Sequence, residues 1–308
     1  GTYTENITHT SGTNITLASQ YLTTQDTSYI SSTIIDGNEN GPVIYTNNSS
    51  TSLNLIGLTL TNGGAIDVDE DDPYHCSSCV IGGGIYGYQG DTLVLDHTVI
   101  RNNSTESTST SGGVHTNNFN YVKITDTKIA DNISPDYYNV LINTDDFEMT
   151  NTLVEGNESR YAAVWISISN DVEHMKIVNN TVANNKIENS SQTFQIYMTA
   201  SSDSVLFMNN IVSQNYKYNS NEDRYDLIYA SVEFYNGKIV MLNNYVNPGI
   251  SGSDRIKRSS GNFFSTTSPF VNSAGGDYSL GIFSGAVGNG IASAHYDGNT
   301  LLAPTKDI

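Results

Sequence analysis

One motif recurs along this chain and narrows what it can fold into. An apolar-x-apolar pair, two spacer residues and then [TN]-x-[ILV]-x-x-N is read in VKITDTKIADN (122–132), FEMTNTLVEGN (147–157), MKIVNNTVANN (175–185) and VLFMNNIVSQN (205–215). Looser copies are LNLIGLTLTNG (53–63), LVLDHTVIRNN (93–103) and IVMLNNYVNPG (239–249), with a split early copy in ITL (15–17) and TIIDGN (33–38). The residues that open successive copies, Leu53, Leu93, Val122, Phe147, Met175, Val205 and Ile239, lie 25 to 40 residues apart. Self-similarity on that scale marks a stack of equivalent units. Alternation with a period of two inside each unit makes the units strands.

The prediction is therefore an all-β, right-handed parallel β-helix with three strands per turn and about nine turns. A leucine-rich horseshoe would need a helical period between strands, and none is present. Each inward column becomes a stack of like aliphatic side chains, such as Leu60, Ile100, Ile129, Val154, Val182, Val212 and Val246. The Asn or Asp after the first apolar pair (Asp126, Asn151, Asn179, Asn209, Asn243) is expected at the bend, where stacked amides bond along the axis as a ladder. Residues 1–308 are expected to form a single domain, with an inserted acidic and Cys-bearing loop at 64–84 and less regular closing turns over 250–308.

The third strand of each turn is read in PVIYT (42–46), GGGIYGY (82–88), GGVHTNN (112–118), NVLINTDD (139–146), AAVWISIS (162–169), FQIYMTAS (194–201) and DLIYASVEF (226–234). With Ile44, Ile85, Val114, Val140, Val164, Ile196 and Ile228 inward, the outward row becomes Tyr45, Tyr86, His115, Leu141, Trp165, Tyr197 and Tyr229. A second outward row carries Tyr88, Asn117, Asn143, Ser167, Thr199 and Ser231. Flat rings one strand spacing apart, with polar neighbours, suit stacking against sugar rings. The same row would equally serve as a face covered by the chain's own loops, 184–194 or 216–225, or by another protein.

Composition limits the partner. Thirteen Lys and Arg stand against 32 Asp and Glu, a net charge of −19, so nucleic acid is excluded for want of a basic face. The same field repels polyuronic acids unless a cation intervenes. No apolar run is long enough to span a bilayer, so no membrane insertion is expected. Abundant Asn, Ser, Thr, Gly and Tyr suit a secreted or cell-surface protein. GTYTENI carries no charged-then-apolar leader, so an export signal is expected to have been removed or to lie outside this chain.

Two short segments, GTYTENI and TIIDGN, resemble the opening of secreted right-handed β-helix proteins related in fold to pectin and pectate lyases. SPFVNSAGGDYSL, SGAVGNGIA and YDGNTLLAPTKDI look like the closing segment of bacterial surface members, while GGGIY and SGGVH with [IV]-x-x-N are similar to repeats of chlamydial outer-membrane adhesins. The resemblance implies the fold and export. It implies no single activity, because lyases, hydrolases, adhesins and stalks share this fold.

In the lyase-like proteins the substrate lies along the outer third-strand face. The expected ligand site is thus Tyr45, Tyr86, His115, Asn143, Trp165, Tyr197 and Tyr229, and the expected function is binding of a polysaccharide or surface glycan, in an adhesive role. A polysaccharide lyase or glycoside hydrolase using the same groove is the second expectation. A lyase needs a base and a cation, for which His115 with Tyr86, Arg160 and Arg224 are the available pieces. NTDD, with Asp145 and Asp146, and RIK (255–257) look like fragments of the polygalacturonase signature, but no Gly-His-Gly accompanies them and the acids are contiguous. A structural spacer or fibre subunit, associating head to tail through its end strands, is the third.

In the insertion, Asp67, Asp69, Glu70, Asp71 and Asp72 offer hard oxygen ligands to Ca²⁺, although the EF-hand spacing is missing. No cofactor is required by any of these readings. Cys76 and Cys79 read as a short-loop disulfide, with zinc ligation together with His75 and free thiols as the alternatives.

Overall fold

The structure is a computed structural model that describes residues 1–68, 79–106, 110–169, 175–199, 204–228, 231–247 and 249–282, with shorter pieces beyond to residue 302. Successive repeats lie beside one another, and their strands pair in parallel in three long columns and a fourth short one, so that some turns carry four strands and not the expected three. The groove column holds Ile7–His9, Ile44–Thr46, Ile85–Gly87, Val164–Ile168, Phe194–Met198, Val232–Tyr235 and Ile250–Ser251. The central column holds Asn14–Ala18, Ser52–Ile56, Gly90–Asp96, Met175–Val178, Ser204–Met208, Lys238–Leu242 and Ile256–Ser260. Two long strands, Val114–Thr125 and Val140–Thr150, run through both columns without a break, which joins them into one sheet of 16 strands.

The third column is a sheet of ten short strands from Thr2–Thr4 to Phe263–Phe264. A fourth, shorter column comprises Ile133–Ser134, Glu158–Ser159, Lys186–Ile187 and Tyr216–Asn219, the last closed by the antiparallel strand Arg224–Leu227. The chain is all-β in character, and this arrangement is compatible with a parallel β-helix. No helix among the described residues is long and apolar enough to cross a membrane.

Register follows the apolar pattern. Leu53 pairs with Leu93, Leu93 with Val122, Val122 with Phe147, Met175 with Val205 and Val205 with Ile239. In the short-strand column Leu60, Ile100, Ile129, Val154, Val182, Val212 and Val246 are likewise in line. All these side chains are buried in one continuous cluster. Each contributes about 1.5–3 kcal/mol by leaving water, and a slip of one residue would turn every one of them outward.

The bends hold the asparagine ladders, in rows partly different from those expected. Asp126, Asn151, Asn179, Asn209 and Asn243 all adopt left-handed backbone, φ 47–59°, which Asn and Asp tolerate better than other non-glycine residues. Two lateral bonds in this row are long, 3.3 Å from Asn179 to Asn151 and from Asn151 to Asp126. The tight rows lie elsewhere. Asn103, Asn132, Asn157, Asn185 and Asn215, which close the motif copies, pass Nδ2–H to the next Oδ1 at 2.9–3.0 Å. Asn180, Asn210, Asn244 and Asn262, each one residue past a left-handed bend, do the same at 2.8–3.1 Å.

Physical need explains the displacement. At a bend the strands lose their pairing, so buried backbone N–H groups need another acceptor. Oδ1 of each inner Asn takes the neighbouring turn's backbone N–H as well, for example Asn132 N–H to Asn157 at 3.0 Å.

Candidate functional site

The outward row of the groove column reads Tyr45, Tyr86, His115, Leu141, Trp165, Gln195 and Glu233 in register. It departs from the expected row after Trp165. Ile166, not Val164, pairs with Ile196, so Tyr197 stands opposite Ser167. Phe194, Ile196 and Met198 alternate evenly, and a slip of two residues keeps every apolar side chain inward; the periodicity alone does not choose between those registers. The next strand is Val232–Tyr235, because Arg224–Leu227 is drawn into the antiparallel pair. Tyr229 lies outside the described residues.

The first half of the row is covered. The insertion forms an antiparallel hairpin, Ala65–Val68 with Cys79–Gly82, whose Ile66 and Ile81 pack on Tyr45, Tyr86 and Tyr88. Glycines let it leave and rejoin the stack: Gly83 holds φ +91°, and a Cβ there would sit 2.2 Å from the Ser111 carbonyl oxygen. Tyr45 stacks on Tyr86 at 5.9 Å, Tyr86 meets His115 at 5.1 Å, and Tyr137 covers His115 at 6.1 Å. Tyr45 is 1% exposed and Tyr86 and His115 are 5% exposed. Burial pushes the Tyr86 hydroxyl up to about 12 and the His115 imidazole down to about 4. His115 is therefore neutral at pH 7, and its Nδ1 has no hydrogen-bond partner.

The second half is open. Tyr138, Tyr161, Trp165, Gln195, Tyr197 and Tyr235, with Asn189, Ser190, Ser191 and Gln192 as a polar wall, line a groove of about 500 Å³. Tyr138 lies flat on Trp165 at 5.2 Å and tilts against Tyr161 at 5.4 Å. Trp165 is thus half-buried by its own chain, whereas Tyr161, Tyr197 and Tyr235 are 37%, 38% and 40% exposed. The backbone fixes this arm of tyrosines: Arg160 N–H donates to Tyr137 O at 3.0 Å, and Asn189 N–H to Arg160 O at 2.7 Å. Tyr197 and Tyr235 lie 6.0 Å apart. Tyr235 Oη donates to Glu233 Oε2 at 2.6 Å, and Gln195 Nε2 donates to the same oxygen at 3.1 Å. Burial, then that bond to Glu233, pushes the Tyr235 hydroxyl up to about 12. Burial, then Tyr137 and Tyr161, pushes Tyr138 to about 12 as well.

The remaining candidates do not gather around this groove. Asn143 Oδ1 accepts from Ser169 Oγ at 3.1 Å. Asp145 and Asp146 lie where the long strand passes between columns, and Asp146 Oδ1 accepts the Phe147 N–H at 2.8 Å. Arg160 is paired with Asp136 at 2.6 Å, and Arg224 with Glu222 and Asp226 at 2.7 and 2.8 Å. Asp69, Glu70, Asp71, Asp72 and Cys76 lie outside the described residues, as do the side chains of Asp67 and Cys79.

Among the described residues Asp96, His97 and Asp126 present ligand atoms within 4.8 Å of one another, and His97 and Asp126 line a second cavity of about 370 Å³. Sequence reasoning missed this trio. It also missed Tyr137, Tyr138, Tyr161, Gln195, Glu233 and Tyr235; the one signal was that SPDYYNV and SRYAAV place Tyr just before the third strand in successive turns. The chain matches no family model, no curated protein and no solved structure.

Proposed function

We propose that this protein is a secreted or cell-surface right-handed parallel β-helix of about nine turns that binds a carbohydrate along its groove column, in an adhesive role. One observation carries the reading: Tyr161, Tyr197 and Tyr235 stand exposed around one groove walled by amides and hydroxyls. Aromatic faces take the apolar face of a sugar ring, and the Asn, Gln and Ser side chains beside them bond its hydroxyl edges. Binding is favoured over glycosidic hydrolysis, which uses two carboxyl groups about 5–9 Å apart, because the described lining residues supply no such pair.

The test is retention of glycans on an array by the wild-type chain and by Tyr197→Ala and Tyr235→Ala. The expected result is binding that falls about tenfold in each variant, as stacking contacts of about 1–1.5 kcal/mol are lost. Equal retention by all three proteins, or products released from the glycan, would overturn the reading.

A further inference from the structure

The open groove has a charge pattern that its rings do not explain. None of the described side chains lining it is Lys or Arg. Of the cations nearby, Arg160 is paired with Asp136 at 2.6 Å, and Lys217 donates to Ser191 Oγ on the wall at 3.3 Å. The acid next to the lining is Glu233, which follows Gln195 in the outward row and is bonded by two lining residues, Gln195 and Tyr235. Both of its described donors, Tyr235 Oη and Gln195 Nε2, converge on Oε2, so Oε1 has no described donor.

We infer that Glu233 is a specificity-determining residue of the groove, which takes a neutral glycan and turns its uronate counterpart away. The inference rests on the glycan-binding reading above. Oε1 accepts a sugar hydroxyl, a charge-assisted bond that a neutral ring can make from any of several positions. A uronate brings a second carboxylate into the same half-desolvated space, where like charges a few ångströms apart weaken binding by about tenfold or more. The net charge of −19 repels anions too, but that field is diffuse and screened by salt. Repulsion from one fixed carboxylate is local.

The experiment pairs neutral oligosaccharides of glucose, mannose and galactose with the same oligosaccharides oxidised to the C6 carboxylate. Affinities are measured by calorimetry for the wild type, Glu233→Gln and, as a charge control, the exposed Glu5→Gln. For the wild type, a neutral series is expected to bind and its oxidised partner to bind at least tenfold more weakly. In Glu233→Gln the gap closes to about threefold or less, while neutral binding falls only a few-fold because the amide oxygen still accepts. Glu5→Gln leaves the gap unchanged. A gap that survives in Glu233→Gln, closes equally in Glu5→Gln, or is absent from the wild type overturns the inference while glycan binding stands. Failure of every oligosaccharide to bind the wild type overturns both.

Discussion

The two halves of the outward row begin from the same kind of side chain and end in opposite surroundings. Tyr45 and Tyr86 are sealed beneath the Ala65–Gly82 hairpin, whereas Tyr197 and Tyr235, further along the stack, lie open beside a groove. The inner faces of both halves are alike, with Ile44, Ile85, Val164 and Phe194 all buried in one cluster. What separates buried from exposed tyrosines is therefore the connecting segment and not the strand. Outward alternation identifies positions that can be displayed; insertions decide which of them are.

That contrast gives its largest expected effect in stability. Tyr86→Ala removes a buried stacked ring and is expected to cost about 3–5 kcal/mol, whereas Tyr197→Ala is expected to cost under about 0.5 kcal/mol; urea unfolding of the two variants measures both. Equal losses would erase the distinction between the halves.

Next comes acidity. His115 belongs to the sealed half, and its folded pKa, about 4, lies below the ordinary 6.5. The unfolded chain binds the proton more readily, so this residue's contribution is complete above pH 6.5 and is lost as pH falls toward 4, by about 3 kcal/mol. The loss is expected to vanish in His115→Leu when unfolding is followed at pH 7 and pH 4.5. An unchanged pH dependence would mean that the ring is not sealed.

A smaller effect tests the scaffold common to both halves. Asn157→Ala strips an inner ladder and leaves the Asn132 N–H and Nδ2–H without their acceptor, at about 1–3 kcal/mol. Asn151→Ala, at an outward left-handed bend, is expected to lose about 1 kcal/mol, mostly from its backbone conformation. Thermal melts of the pair rank them, and the reverse order would show that the outward row carries the bends.

The parallel stacking of strands was legible because the repeat states it many times over: the apolar residues that open each copy are also the residues that pair from turn to turn. The ladder was half legible, since Asn at a bend reads the same whether it faces in or out, and only the need of the buried N–H groups separates Asn157 from Asn151. The site was least legible. Phe194, Ile196 and Met198 permit two registers, and the choice moves Tyr197 and Glu233 relative to Trp165. The cover over Tyr45 and Tyr86 comes from Ile66 and Ile81, in a segment whose acidic composition suggested a solvated loop or a cation site.

The left-handed bends carry a further consequence. At His97, Asp126, Asn151 and Asn179 the backbone is held at φ 49°, 47°, 51° and 59°, and all four residues line the second cavity, while the inner residue that follows secures the turn. Anchoring and display are thus assigned to adjacent positions. A substitution at the outer one that tolerates a left-handed backbone changes the chemistry along that side of the stack without entering the core. In evolutionary terms the bend is a mutable address at a regular interval, and new surface function can be written there one turn at a time.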